Sequence, residues 1–127
     1  MKEEMKKVYL AIPYSGMEPS SYFQATRATA LILKLGINVF SPITHSHPLT
    51  QYDVPGNWEF WSAVDYQYID WADEVWVLIP QEGTGRVDKS TGVQAEIKYA
   101  KETGKPVKEI TYGDLEIQYQ RTKITES

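Results

Sequence analysis

"VWVLIPQEGTGRVDKSTGVQAE", Val75 to Glu96, sets an apolar run, a glycine-rich polar loop and a helical pattern end to end. Short apolar runs bounded by turn residues read as buried strands, which places a strand over Glu74 to Pro80. Thr91 with Gln94 three residues on reads as a capping box opening a helix. Val93, Ile97 and Ala100 form that helix's apolar face, and Gly104 with Pro106 ends it. A strand that runs into a helix is half of a βαβ unit, so this stretch points to an α/β fold.

The loop also comes close to the phosphate-binding pattern G-x-x-x-x-G-K-S/T, but Asp88 stands where the second glycine belongs. That glycine lets the backbone wrap the phosphates, and an aspartate there adds a negative charge beside them. A phosphate loop also needs an acidic residue at another strand's end to support Mg²⁺. The first strand ends in Pro13-Tyr14-Ser15 and the fourth in Ile110-Thr111, so neither supplies one. These two faults exclude the ATPase reading. The second also argues against a phosphoacceptor receiver domain.

Working outward, Val8 to Ile12 reads as the first strand, ended by Pro13. Ser21 with Gln24 predicts a capping box and a helix whose core stripe is Ala25, Ala28, Thr29, Ile32 and Leu35, with Gly36 as its stop. Ile37 to Phe40 is the second strand. "SPITHSHPLTQYDVPG" (residues 41–56) reads as a long loop, and such loops in small domains are usually functional or mobile. Asn57 caps a helix running to about Ala72. Val107 to Thr111 is a fourth strand, and residues 113–127 form a polar tail with a short helix at most. The expectation is a single domain over residues 1–127, with residues 1–6 a polar terminus. Its architecture would be three-layer α/β/α, flavodoxin- or Rossmann-like, with a parallel sheet of four to five strands. Ligands in such folds bind beyond the carboxyl ends of the strands, where the strand order switches.

The 127-residue chain has a net charge of −4, 42% hydrophobic residues, and no cysteine. A mildly acidic chain lacks the basic face that nucleic-acid polymers or anionic membranes require. Without cysteine there are no disulfides and no thiolate metal sites. The charged start "MKEEMKK" has no apolar signal core, and a cytoplasmic location is expected. The aromatic load, four Trp, nine Tyr and three Phe, serves either core and interface packing or a pocket for a flat ring.

Two carboxylates stand out. On the helix from Asn57, Trp58, Trp61, Tyr68, Ile69 and Ala72 share one stripe about 100° wide, and Asp65 lies in its middle. A carboxylate facing the core is costly unless it is paired, hydrogen-bonded or chemically used. Glu96, at the edge of its helix's apolar face, leans back toward the strand ends, where the helix N-terminus favours its ionised form. Asp65 is thus a proton carrier or a structural aspartate. Glu96 is a nucleophile or base, or else a surface glutamate pairing with Lys98 or Lys101. Two carboxylates on one apolar pocket permit a division of labour, one ionised and one protonated, as in glycosidic cleavage. Pro13, Tyr14, Ser15 and Gly16 follow the first strand and could line a ligand, with Ser20 and Ser21 nearby. His45 and His47 lack a partner set for a metal, so His45 is assigned to substrate contact or loop packing.

Three segments together resemble the nucleoside 2-deoxyribosyltransferase superfamily. "VYLAIPYSG" (Val8–Gly16) is similar to its first-strand motif, and "DYQYIDWADEVWVLI" (Asp65–Ile79) to its helix–strand unit. "STGVQAEIKYA" (Ser90–Ala100) resembles its Ser-x-Gly-Val-x-x-Glu element. The resemblance covers most of Val8 to Ile110. The chain departs from the pattern at Ile12-Pro13 and in a longer, more charged segment from Pro80 to Lys89.

The resemblance implies that Glu96 attacks the anomeric carbon, Asp65 protonates or orients the leaving base, and Tyr9 positions the glutamate. Ser90 and Gly92 match the segment around the sugar or phosphate, and Tyr14 and Trp58 would line the base site. The implied substrate is a small 2′-deoxynucleoside or its 5′-monophosphate, hydrolysed or exchanged at its N-glycosidic bond with no cofactor and no metal. It also implies a homo-oligomer, dimer or tetramer. The alternative on the same fold is a non-catalytic module for a nucleotide-derived ligand.

Overall fold

Alternation of side chains along the two central strands builds the core on both faces of one sheet. A computed structural model describes residues 4–83 and 85–126, so Thr84 of the glycine-rich loop and the first three residues of the polar N-terminus lie outside the described residues. Four strands, β1 (Lys7–Ala11), β2 (Asn38–Phe40), β3 (Glu74–Leu78) and β4 (Val107–Ile110), form a parallel sheet in the order β2-β1-β3-β4. Tyr9 pairs with Phe40 on one side and Val75 on the other. The chain leaves β1 in one direction to make β2 and returns past it to make β3. The strand order therefore reverses at β1 and β3, and a crevice opens beyond their carboxyl ends.

Even and odd positions serve different layers, as the two-residue period of a strand requires. Val8, Leu10, Trp76, Leu78 and Ile110 face α1 (Glu18–Lys34) and α6 (Tyr112–Glu126), meeting Ala25, Ala28, Ile32 and Leu115. Tyr9, Ala11, Val75 and Val77 face the opposite layer, where Ile69 and Ala72 come from the segment of α3 (Trp58–Trp71) and Val93 and Ala100 from α5 (Thr91–Glu102). This is the expected three-layer α/β/α arrangement, with four strands.

Several local expectations are corrected. Helix α1 begins a turn before Ser21: Met17 is its N-cap, and Pro19 sits in the first turn, where its missing N–H costs nothing. Ser21 and Gln24 are therefore inside the helix and buried, and Leu31 joins its core stripe. Residues 41–56 are not an open loop. Ser41 caps a short helix α2 (Pro42–Ser46), and a 3-10 turn follows over His47–Tyr52. Within the glycine-rich segment, helix α4 (Gly85–Lys89) forms with Asp88 inside it, so these residues are helical and not an extended cradle. The cap of α5 is Ser90, whose hydroxyl accepts from the Val93 amide at 3.2 Å, one residue before the expected Thr91. The C-terminal segment is a 15-residue helix, anchored by Leu115 with Tyr112 and Tyr119 packed against the same core. Asn57 does cap α3, accepting from the Phe60 amide at 3.0 Å.

Candidate active site

Tyr9 reaches out of the sheet toward α3 and α5 and is fully buried. Its hydroxyl donates to the Glu96 carboxylate, and Asp65 approaches the same hydroxyl from α3. The period of α5 explains the placement: Val93, Glu96 and Ala100 are its buried positions, so a glutamate at 96 must face the sheet. Asp65 and Ile69 are likewise the buried pair on α3. Lys98, a candidate partner for Glu96, instead lies 4.0 Å from Glu102 on the surface.

Burial dominates the electrostatics. It pushes the Glu96 carboxyl up to about 8, against the Tyr9 hydrogen bond, which lowers it, and with the Asp65 charge, which raises it. Burial raises Asp65 to about 7, again opposed by the Tyr9 hydroxyl. The α5 N-terminal field, expected to keep Glu96 ionised, is thus outweighed. The two carboxyls behave as one coupled unit that retains a proton near neutral pH. Tyr9, raised well above 10.0 by its burial and by both carboxylates, remains a hydroxyl donor.

A cavity of about 260 Å³ opens over this pair at the carboxyl ends of β1 and β3. Asp65 and Glu96 lie in its lining, and Tyr9 stands behind Glu96. Pro13, Tyr14 and Ser15 form the wall that follows β1, Trp58 and Trp61 the α3 wall, and Ser90 and Gly92 the start of α5. Gly92 has a packing role here: a Cβ built on it would lie 3.5 Å from the Trp58 ring. Trp58 in turn meets Tyr66 edge-on at 5.8 Å.

Two expected contacts fall outside the lining. Gly16 makes the turn after β1 with φ of +87°, and its amide donates to Glu18 at 3.0 Å. His45 is exposed, with its ring between Phe40 and Trp61. The other histidine approaches the site indirectly: His47 Nδ1 lies 2.6 Å from the Tyr14 hydroxyl and its ring stacks on Tyr22. Met17, Ile43 and Ser46 also line the cavity and were not singled out from sequence. Ile43 and Ser46 arrive only because residues 42–46 coil into a helix, a fold that a proline- and histidine-rich stretch does not announce. Among the described residues, no three potential metal ligands cluster, and no helix is long and apolar enough to cross a membrane.

The family whose model matches and the solved structure it resembles together place the chain, with its β2-β1-β3-β4 sheet, in the nucleoside 2-deoxyribosyltransferase-like superfamily. Within it, the chain belongs to the family described as "Domain of unknown function (DUF1937)", whose model matches residues 6–112. Among solved structures it is similar to a 2-deoxyribosyltransferase from the psychrotolerant bacterium Bacillus psychrosaccharolyticus. The two are 28% identical with a TM-score of 0.58, over 83% of this chain and 72% of the other. No curated protein sequence matches.

Proposed function

We propose that the protein cleaves or exchanges the N-glycosidic bond of a 2′-deoxynucleoside or its 5′-monophosphate. The observation that carries this is the Tyr9–Glu96–Asp65 cluster, buried beneath a cavity with aromatic walls. The similarity to a 2-deoxyribosyltransferase supports the same bond type. Glu96 forms a bond to the anomeric carbon as the carbon–nitrogen bond breaks. The base leaves with that electron pair and takes the proton held by Asp65. Water, or a second base, then attacks the same carbon while giving its proton to the Asp65 carboxylate, and the glycosyl–Glu96 bond breaks to release Glu96 as a carboxylate.

The electrostatics of the empty site suit this division once substrate is bound. The pair carries one proton near neutrality. Charge building up at the anomeric carbon stabilises an ionised Glu96, which leaves the proton on Asp65. Tyr9 positions the glutamate by donating to it. Tyr14, Trp58 and Trp61 offer faces and edges for a flat base. The protein works as a homo-oligomer, a reading supported by Phe23, Tyr52 and Phe60, large aromatics left at least 46% exposed.

The rise of Glu96 to about 8 favours a second reading, a binding module of the same fold whose glutamate stays protonated. One assay separates the two. Purified protein is incubated with a panel of deoxynucleosides and monophosphates and free base is measured. Release that falls on the order of a thousandfold in Glu96→Gln supports the enzyme. Binding without release by the wild type would leave only the module.

A further inference from the structure

The cavity has a charged mouth that a neutral nucleoside would not use. Arg86 and Lys89 both line it, three residues apart on α4 and therefore on neighbouring positions of one helix face. Among the described residues, neither side chain has a carboxylate within ion-pair distance. Two like charges held side by side repel, and the arrangement is favourable chiefly when an anion sits between them.

The helix that presents them is firmly held. Val87 between them is buried at 2% exposure. Its carbonyl accepts from the Ser90 amide at 3.2 Å and from the Gln94 side chain at 2.9 Å, which ties α4 to the start of α5. On the other side, Glu82 accepts from Ser20 at 2.8 Å and from Gln24 at 2.9 Å. Glu82 thus spends its hydrogen bonds on α1 and meets Arg86 only through its charge. The same Gln24 accepts from the Gln81 amide at 2.9 Å and fixes the path into α4.

The cavity is therefore polarised. Its floor carries Asp65 and Glu96, and its rim carries two cations that, among the described residues, form no ion pair. Resting on the function proposed above, we infer that the substrate is phosphorylated at the sugar end remote from the anomeric carbon, a 2′-deoxynucleoside 5′-monophosphate. Arg86 and Lys89 hold the phosphate. The dianion compensates the cations at the rim, and the neutral sugar and base occupy the apolar interior above the carboxyl pair. The phosphate supplies binding energy at a point away from the bond that breaks, so its contribution appears in kcat/KM.

The test pairs each 2′-deoxynucleoside with its own 5′-monophosphate in a base-release assay. Charge-assisted hydrogen bonds to the phosphate are expected to raise kcat/KM for the monophosphate by about tenfold to a hundredfold. In Arg86→Ala/Lys89→Ala that ratio of kcat/KM values falls toward one. Equal values for both substrates, or a ratio the double variant leaves intact, overturns the inference and leaves the proposed reaction standing. Calorimetric binding to Glu96→Gln supplies the second arm. Preference for the monophosphate there, with no base released by the wild type, overturns the reaction but supports the phosphate site. No preference in binding overturns the site.

Discussion

The Tyr9 hydroxyl donates to the Glu96 carboxylate across 87 residues of sequence, joining a central strand of the sheet to α5 at the floor of the cavity. Tyr9→Phe removes that donor without opening much space. A buried carboxyl left without it costs about 1–3 kcal/mol, which urea unfolding near pH 8 would read. The hydrogen bond lowers the Glu96 pKa, so its loss raises it further. Activity that requires ionised Glu96 then begins at higher pH, and the rising limb of the base-release profile moves up. A limb that stays in place would count against Tyr9 as a positioning residue.

The raised carboxyls make a second expectation, on stability. Glu96 moves from an ordinary 4.5 to about 8, and Asp65 from 3.8 to about 7. The folded state thus binds more protons than the unfolded state between these limits, and stability falls as pH rises from about 4 to 8. This is opposite in sign to a salt-bridged carboxylate. The lowered pKa values of Glu18, Glu74, Glu82 and Asp114 act below the ordinary carboxylate range and do not mask this window. Glu96→Gln keeps the shape and removes the titration. It should gain on the order of 2–4 kcal/mol over wild type between pH 5 and pH 8.5, measured by denaturant unfolding at both values. Parallel stability curves for the two proteins would refute the raised pKa.

Asp65→Asn separates the two carboxyls. The charge on Asp65 raises Glu96, so its removal lets the Glu96 pKa drop. The base-release profile should then begin its rise at lower pH, the reverse of Tyr9→Phe. Loss of the proton carrier should also cut kcat by about 10²- to 10⁴-fold. Substrates whose bases leave readily without a proton should suffer least. A uniform loss across leaving groups would assign Asp65 to holding structure instead.

The layers and the floor of the site were legible because their signals are periodic and local. Asp65 interrupting the Trp58–Ala72 stripe already faces the core, whereas Glu96, at the edge of the Val93–Ala100 face, reads equally as a surface glutamate; both are buried. What sequence concealed depends on contacts between distant segments. Gln24 resembles a capping-box partner for Ser21, yet it spans 57 residues to hold the Gln81 amide. Pro19 in the first turn is the local signal for the earlier start of α1, and the Ser21–Gln24 spacing masks it. The "SPITHSHP" run reads as loop because proline and histidine break periodicity, while Ser41 in fact caps a helix that brings Ile43 and Ser46 to the cavity. Burial was also underestimated at Glu96. A helix-end field is modest and local, and removal from water is the larger effect.

Gly92 offers a test of the cavity wall that leaves the chemistry untouched. It is the second residue of α5 and faces the Trp58 ring, with room for one carbon: a Cβ there would sit 3.5 Å from the nearest ring atom, an ordinary contact. Alanine also favours a helix over glycine by up to about 1 kcal/mol. Gly92→Ala should therefore hold or slightly raise Tm and leave KM within about twofold, roughly the 0.4 kcal/mol that a single ordinary contact can shift. Gly92→Val adds two methyl groups beyond that contact, and they are expected to press on the Trp58 ring and displace it from the wall it shares with Tyr66. Because the strain falls on one partly exposed ring, the expected cost to stability is only about 1–3 kcal/mol. The expected effect on KM is a rise of about tenfold, with kcat affected less, since the carboxyl pair does not move. If valine leaves KM unchanged while thermal melts show the strain, Trp58 packs the domain and does not contact substrate.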